Sequence, residues 1–267
     1  MGIFFSAQIG RVFAIDALVN GLAWFHAAFI IRNEKYFDLV GGITYWACVV
    51  SALYGRSGDI SPRQAVNSVL TLTWSGRLST FLFSRIQQDS VDKRWKGVRD
   101  FPLRQLKYWA VQSIWCLITA LPVYAILSSS DKDNEQFTTT DLATWLLWGV
   151  GFACEVIADR QKRVFKMDTA NSGKFITTGL WSISQHPNYM GDILMWIAMW
   201  LNCQQHMTTT DTAVTALSPM LVYFLLTRAS GIPLLDKLAR KKWGKDPKWL
   251  AYTKAVPQLF PFMGQRY

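Results

Sequence analysis

Residues Val12 to Ile31 read VFAIDALVNGLAWFHAAFII, twenty positions with a single charged side chain, Asp16. A hydrocarbon core about 30 Å thick is crossed by roughly 17 to 25 mostly apolar helical residues, so this stretch predicts a membrane span. Six further blocks of similar character follow, separated by charge: Phe37 to Tyr54, Ala65 to Ile86, Tyr108 to Leu127, Leu142 to Ala158, Tyr189 to Cys203 and Ala213 to Leu235. The expected fold is all-α, a polytopic transmembrane helix bundle of about seven spans, treated as one domain over residues 1–267. The third block is rather polar and the sixth is short, so a tilted or re-entrant segment is the alternative at either.

Loop charge supplies an orientation. The segment after the third block carries Lys93, Arg94, Lys96, Arg99, Arg104 and Lys107, the one after the fifth carries Arg160, Lys162, Arg163, Lys166 and Lys174, and the C-terminal tail carries eight more. The loop after the fourth block holds only Lys132, and the short one after the sixth holds no basic residue. Nineteen of 28 basic residues therefore fall on one side, and with seven spans the C-terminus lies on that positive, cytoplasmic or equivalent, side and the N-terminus outside. The excess of 28 Lys+Arg over 18 Asp+Glu thus reads as orientation in a lipid bilayer. No nucleic-acid motif accompanies it. The first block is expected to be a retained span and not a cleaved leader, because it is too long and lacks a basic start. Met1 to Ser6 fits only the loose myristoylation pattern.

Cys48, Cys116, Cys154 and Cys203 lie in or beside apolar blocks without CxxC spacing or grouped histidines, which predicts small apolar packing residues and no metal site. Two ionisable residues inside blocks stand out as catalytic candidates, Asp16, four residues before Asn20, and Arg77, which follows Gly76. An ion pair between them that joins helices is the plainer reading. A place in the substrate pocket is the other.

Glu155, Asp159, Lys162 and Lys166 are spaced to form an acid and base ladder if the fifth span continues as helix. Beyond it come Gly179-Leu180-Trp181 and Gln185-His186-Pro187-Asn188-Tyr189-Met190-Gly191-Asp192. Pro187 suits the first turn of a helix. The positive end of that helix, together with Lys162, Arg163, Lys166 and Lys174, suits an anionic group. Asn188 and Tyr189 add hydrogen bonding and a ring face, so the chemistry fits a phosphate-bearing, ring-containing cofactor.

These motifs resemble the C-terminal region of the steroid 5α-reductase-like membrane proteins, in particular their broad, poorly characterised branch. Trp74 with Gly76-Arg77-Leu78, then Asp92-Lys93-Arg94-Trp95 with Arg99, is similar to the middle of that branch. Ser230-Gly231-Ile232-Pro233-Leu234-Leu235, Trp243-Gly244 and Tyr252 are similar to its end, so the resemblance runs over roughly residues 65 to 260. It implies a membrane-embedded reductase that takes NADPH from the positive side and reduces an activated double bond of a lipid or steroid-like molecule. By position it implies cofactor contacts at Asp159, Lys166, Asn188, Tyr189 and Asp192, with Lys162, Trp181, His186, Arg240 and Tyr252 as further candidates. Gln185 stands where the branch usually has Arg, and Met190 where it usually has an aromatic residue.

Two alternatives stay open. His186 to Gly191 also satisfies the His-Pro-x-Tyr-x-Gly turn of isoprenylcysteine and phospholipid methyltransferases, which use S-adenosylmethionine. Asn188, the acid and base ladder and Gly231-Ile232-Pro233 argue against that reading. The departures at Gln185 and in the first span, which lacks the Trp that commonly follows its Asp and has Val19 and Asn20 near that point, motivate the other, a reductase-like chain kept as a structural subunit among other membrane proteins. The endoplasmic reticulum is the expected membrane for a reductase, and the mitochondrial inner membrane is the alternative.

Overall fold

A computed structural model describes residues 6–54, 59–89, 95, 97–129 and 137–261. Asp92, Lys93, Arg94, Lys96 and Lys132, the Met1 to Phe5 part of the myristoylation pattern and the Gly264 to Tyr267 end lie outside the described residues. The described chain is helical, in the order α1 (Ala7–Phe25), α2 (Phe37–Tyr54), α3 (Pro62–Asp89), α4 (Pro102–Thr119), α5 (Leu121–Leu127), α6 (Thr139–Met167), α7 (Pro187–Cys203), α8 (Thr209–Thr215), α9 (Leu217–Phe224), α10 (Ile232–Trp243) and α11 (Pro247–Ala255).

The outside of these helices is apolar. Leu18, Leu22, Phe25, Phe29 and Ile30 of the first helical run are exposed, as are Ile43 and Val50 of α2 and Leu142, Leu146 and Val150 of α6. A surface of that kind is stable against lipid tails and not against water, and the chain is a multi-pass membrane protein. Among the described residues four helical runs are long and apolar enough to cross a membrane: Ala7–Ile30, Phe37–Tyr54, Thr139–Met167 and Thr209–Trp243. A fifth forms if α4 and α5, bent by 56°, count together. The bend falls where Pro122 removes a backbone donor from the first turn of α5.

The expected seven differ from these four or five at the two weakest blocks. α7 has 17 residues, about 26 Å at 1.5 Å per residue and marginal for a bilayer. α3 is long enough but polar, and its polar side chains face inward: Gln64, Asn67, Ser68, Thr71, Ser75 and Ser79 are buried while Val69 is exposed.

The chain divides into two compact units, Met1–Asp141 with Trp200–Ser218, and Leu142–Met199 with Pro219–Tyr267. In the first, α2 packs on α1, α3, α4 and α5. Its interhelical contacts are polar: Asn20 donates to Thr44 at 3.3 Å and accepts from Gln112 at 3.2 Å. Asp16 accepts a hydrogen bond from Ser113 of α4. The expected Asp16 to Arg77 pair is not formed: Ser113 is the partner at Asp16 Oδ2, and the Arg77 guanidinium stands over Phe81, 5.1 Å from its centroid.

A buried ion pair of this unit is one the sequence reading did not anticipate. Arg63 of α3 grips Asp141 of α6 through two bonds of 2.6 Å, with both side chains at most 1% exposed. The backbone and hydroxyl of Thr138 also donate to Asp141, at 2.8 and 2.9 Å, and so do Asn202 and Gln205, at 2.9 and 3.2 Å.

Candidate functional site

In the second unit α6 runs unbroken to Met167 and α7 starts at Pro187, as the ladder and the proline predict. The two helices touch backbone to backbone. A Cβ on Gly151 would lie 2.7 Å from the Gly191 carbonyl oxygen, and one on Gly191 would lie 2.8 Å from the Glu155 nitrogen, so neither position admits a side chain. This contact sets the ladder of α6 against the first turns of α7. Asp159, 8% exposed, accepts a hydrogen bond from Asn188 at 3.1 Å. Glu155 is buried one turn earlier on α6, and Asp192 follows Asn188 by one turn on α7.

The segment between the helices is pinned to α6. Gly179 adopts φ +64°, a left-handed backbone that favours glycine, and this lets the Leu180 amide donate to Gln161 at 3.0 Å. Trp181 is buried and donates to the Ala158 carbonyl at 3.1 Å. The Lys162 ammonium sits over the Trp181 ring, 4.4 Å from its centroid, a cation–π contact.

The C-terminal helices close on the same segment. Tyr252 donates to the Trp181 carbonyl at 2.7 Å, and burial pushes its hydroxyl pKa above the ordinary value. Phe175 meets Trp243, Trp249 and Tyr252 at centroid distances of 5.0 to 5.7 Å, and Trp243 donates to the Gly173 carbonyl at 2.6 Å. Gln185 acts as a strap: its backbone amide donates to Pro257 at 3.0 Å, and its side chain donates to the carbonyls of Thr253 and Val256 at 3.2 and 2.6 Å.

His186 is 6% exposed. Its Nε2 lies 3.5 Å from Asp236 Oδ1, and its ring stacks on Tyr189 at 5.7 Å and 10°. Burial holds the imidazole pKa below its ordinary value; the Asp236 carboxylate opposes that and the Lys162 ammonium adds to it. Among the described residues no three His, Cys, Asp or Glu side chains are grouped closely enough to hold a metal ion.

The structure therefore brings together Asp159, Lys162, Trp181, His186, Asn188, Tyr189 and Tyr252. Lys166 and Arg240 are exposed and their side chains make no hydrogen bond or ion pair within the described residues. Asp16 and Arg77 belong to the first unit. The sequence reading missed Asp236. It occupies the same helical face as Ile232, Leu235 and Ala239, and an acid on the covered side of an amphipathic helix was a signal available in the sequence.

No solved structure matches the chain. Over 63 residues it is 36% identical to a probable O-methyltransferase, ustE, of Ustilaginoidea virens, a match covering 23% of this chain and 22% of that protein. Over 177 residues it is 27% identical to an uncharacterised protein of Schizosaccharomyces pombe, covering 55% of this chain and 51% of that one. The matched regions span about half or less of these relatives. The model of a family described as "Protein of unknown function (DUF1295)" matches residues 24–256. The chain belongs to that family, which is related to the steroid 5α-reductase-like proteins.

Proposed function

We propose that the second unit binds NADPH and that the protein reduces a double bond of a lipid-like molecule reached from the bilayer. The observation that supports this most is the convergence of Asp159, Asn188, Lys162 on Trp181, and Tyr189 on His186 around one helix start. The residues fit such a cofactor. Asn188 and Asp159 offer a donor and acceptor pair for hydroxyl or amide groups, Tyr189 a ring face, and Lys162, Arg163, Lys166 and Lys174 positive charge for phosphates. NADPH would supply the hydride, and the chain's part is to bind, orient and exclude water. Asp192, one turn after Asn188 on α7, and the exposed Arg240 are the further contacts of this reading. The positive side then faces the cytoplasm of an endoplasmic-reticulum membrane, or the corresponding side of a mitochondrial inner membrane.

The 36% match to a probable O-methyltransferase favours a second reading, in which the same turn holds S-adenosylmethionine. A structural subunit without ligand is the third. Thermal melting of the full chain in detergent separates them. A ligand bound only by the folded state stabilises it by about 2.7 kcal/mol at 100 times its dissociation constant. NADPH should raise the midpoint more than NADH, because the lysines can meet the 2′-phosphate, and S-adenosylmethionine should leave it unchanged. Lys166→Ala should narrow the difference between the dinucleotides, and Asn188→Ala should weaken both. A shift with S-adenosylmethionine alone would favour the methyltransferase, and the structural-subunit reading predicts no shift with any of the three.

A further inference from the structure

The imidazole of His186 is buried, and neither ring nitrogen makes a hydrogen bond. One acid faces it. Asp236 Oδ1 stands 3.5 Å from Nε2, slightly beyond the roughly 3.2 Å reach of an N–H···O bond but close enough for a small side-chain rotation to complete one. The carboxylate is held from its other end, because Gln258 donates to Oδ2 at 2.8 Å. The other charge acting on the ring is Lys162 of α6, which disfavours a second proton. A neutral imidazole carries one N–H and one lone pair, and a carboxylate beside Nε2 draws the N–H to that nitrogen. Nδ1 is then a buried acceptor without a donor. That state is costly in the free protein and is relieved by a ligand that brings an N–H or O–H.

We propose that Asp236 is a positioning residue of the candidate site: it fixes His186 as the Nε2–H tautomer, so that Nδ1 accepts a hydrogen bond from a carboxamide or ribose hydroxyl of the bound dinucleotide. This rests on the dinucleotide reading of the same site. Asp236 acts through His186, and His186 in turn carries the ring of Tyr189. Hydrogen bonds of this kind are often long in a free protein and tighten when ligand arrives.

The chain has three histidines, so ¹⁵N-histidine spectra of the full protein in detergent can be assigned with His26→Gln and His206→Gln. The wild type should show His186 protonated at Nε2. Addition of NADPH should move its Nδ1 resonance toward the hydrogen-bonded position. Asp236→Ala should return the tautomers toward the free-imidazole mixture and weaken NADPH binding about tenfold. A purely structural contact would leave the Nδ1 resonance unmoved by NADPH. If Asp236→Ala does not fold, the wild-type spectra decide alone. An Nδ1–H tautomer in the wild type overturns the proposal, as does a melting shift with NADPH that leaves the Nδ1 resonance in place. No melting shift with NADPH overturns instead the reading on which it rests.

Discussion

Removing Arg63 tests whether the buried Arg63 to Asp141 pair stabilises the first unit. Both side chains are at most 1% exposed, so no solvent screening reduces the interaction. Breaking such a pair by deleting one partner costs about 3 to 5 kcal/mol, chiefly because a charge is left uncompensated. The two directions are unequal. In Arg63→Met the Asp141 carboxylate still accepts from the Thr138 backbone and hydroxyl, Asn202 and Gln205, which places the cost at about 3 kcal/mol. In Asp141→Leu the guanidinium loses the carboxylate that takes its Nε and Nη2 hydrogens, and the cost moves to about 4 to 5 kcal/mol. At about 2 to 4 °C per kcal/mol for a chain of this size, Arg63→Met should lower the melting midpoint in detergent by about 6 to 12 °C. The double variant should lose less than the two single losses added together, because no charge is left uncompensated, while Thr138, Asn202 and Gln205 still lose their shared acceptor. A midpoint for Arg63→Met within about 1 °C of wild type would refute the reasoning, and so would losses that simply add in the double variant.

Single cysteines placed at Lys107, Lys174 and Lys245 should all react with an impermeant reagent from the same side of sealed vesicles, and mixed accessibility would reject the charge-derived orientation. Burial lowers the pKa of His186 below 6.5, and the residue precedes α7, outside the spans. The unfolded chain therefore takes up the proton first as pH falls, so the stability from the neutral ring is complete above about pH 6.5 and is lost as pH drops toward the folded-state value. The wild-type midpoint should fall on acidification below about pH 6.5 and His186→Gln should flatten that slope; identical slopes would reject the assignment. Gly191→Val should destabilise by about 1 to 3 kcal/mol, because the added carbon meets the α6 backbone at Glu155, which has no free end to move. A melting midpoint equal to wild type would show that the α6 to α7 contact is looser than described.

The features legible in the sequence were those carried by composition and local pattern. The apolar blocks became helices with apolar exteriors, Pro187 opened α7, and the spacing of Glu155, Asp159, Lys162 and Lys166 held because α6 continues to Met167. Partners across helices were not legible, because a membrane chain turns its polar residues inward and a periodicity names a face without naming what the face meets. Asp16 therefore found Ser113 in place of Arg77, and Asp141, which no pattern in the sequence singled out, is the shared acceptor for Arg63, Thr138, Asn202 and Gln205. Gln185 shows the same limit within the motif itself. As a departure from Arg it reads as a lost phosphate contact, whereas its amide ties the turn to the carbonyls of Thr253 and Val256. An arginine could also donate to those carbonyls, but it would bring a full charge to His186, whose ring already has the Lys162 ammonium acting on it. With a neutral strap at position 185 the motif keeps its attachment to the tail. The positive charge that an anionic ligand would meet then rests with Lys162, Arg163, Lys166 and Lys174, so Lys166→Ala tests the 2′-phosphate part of the dinucleotide reading, by narrowing the difference between NADPH and NADH.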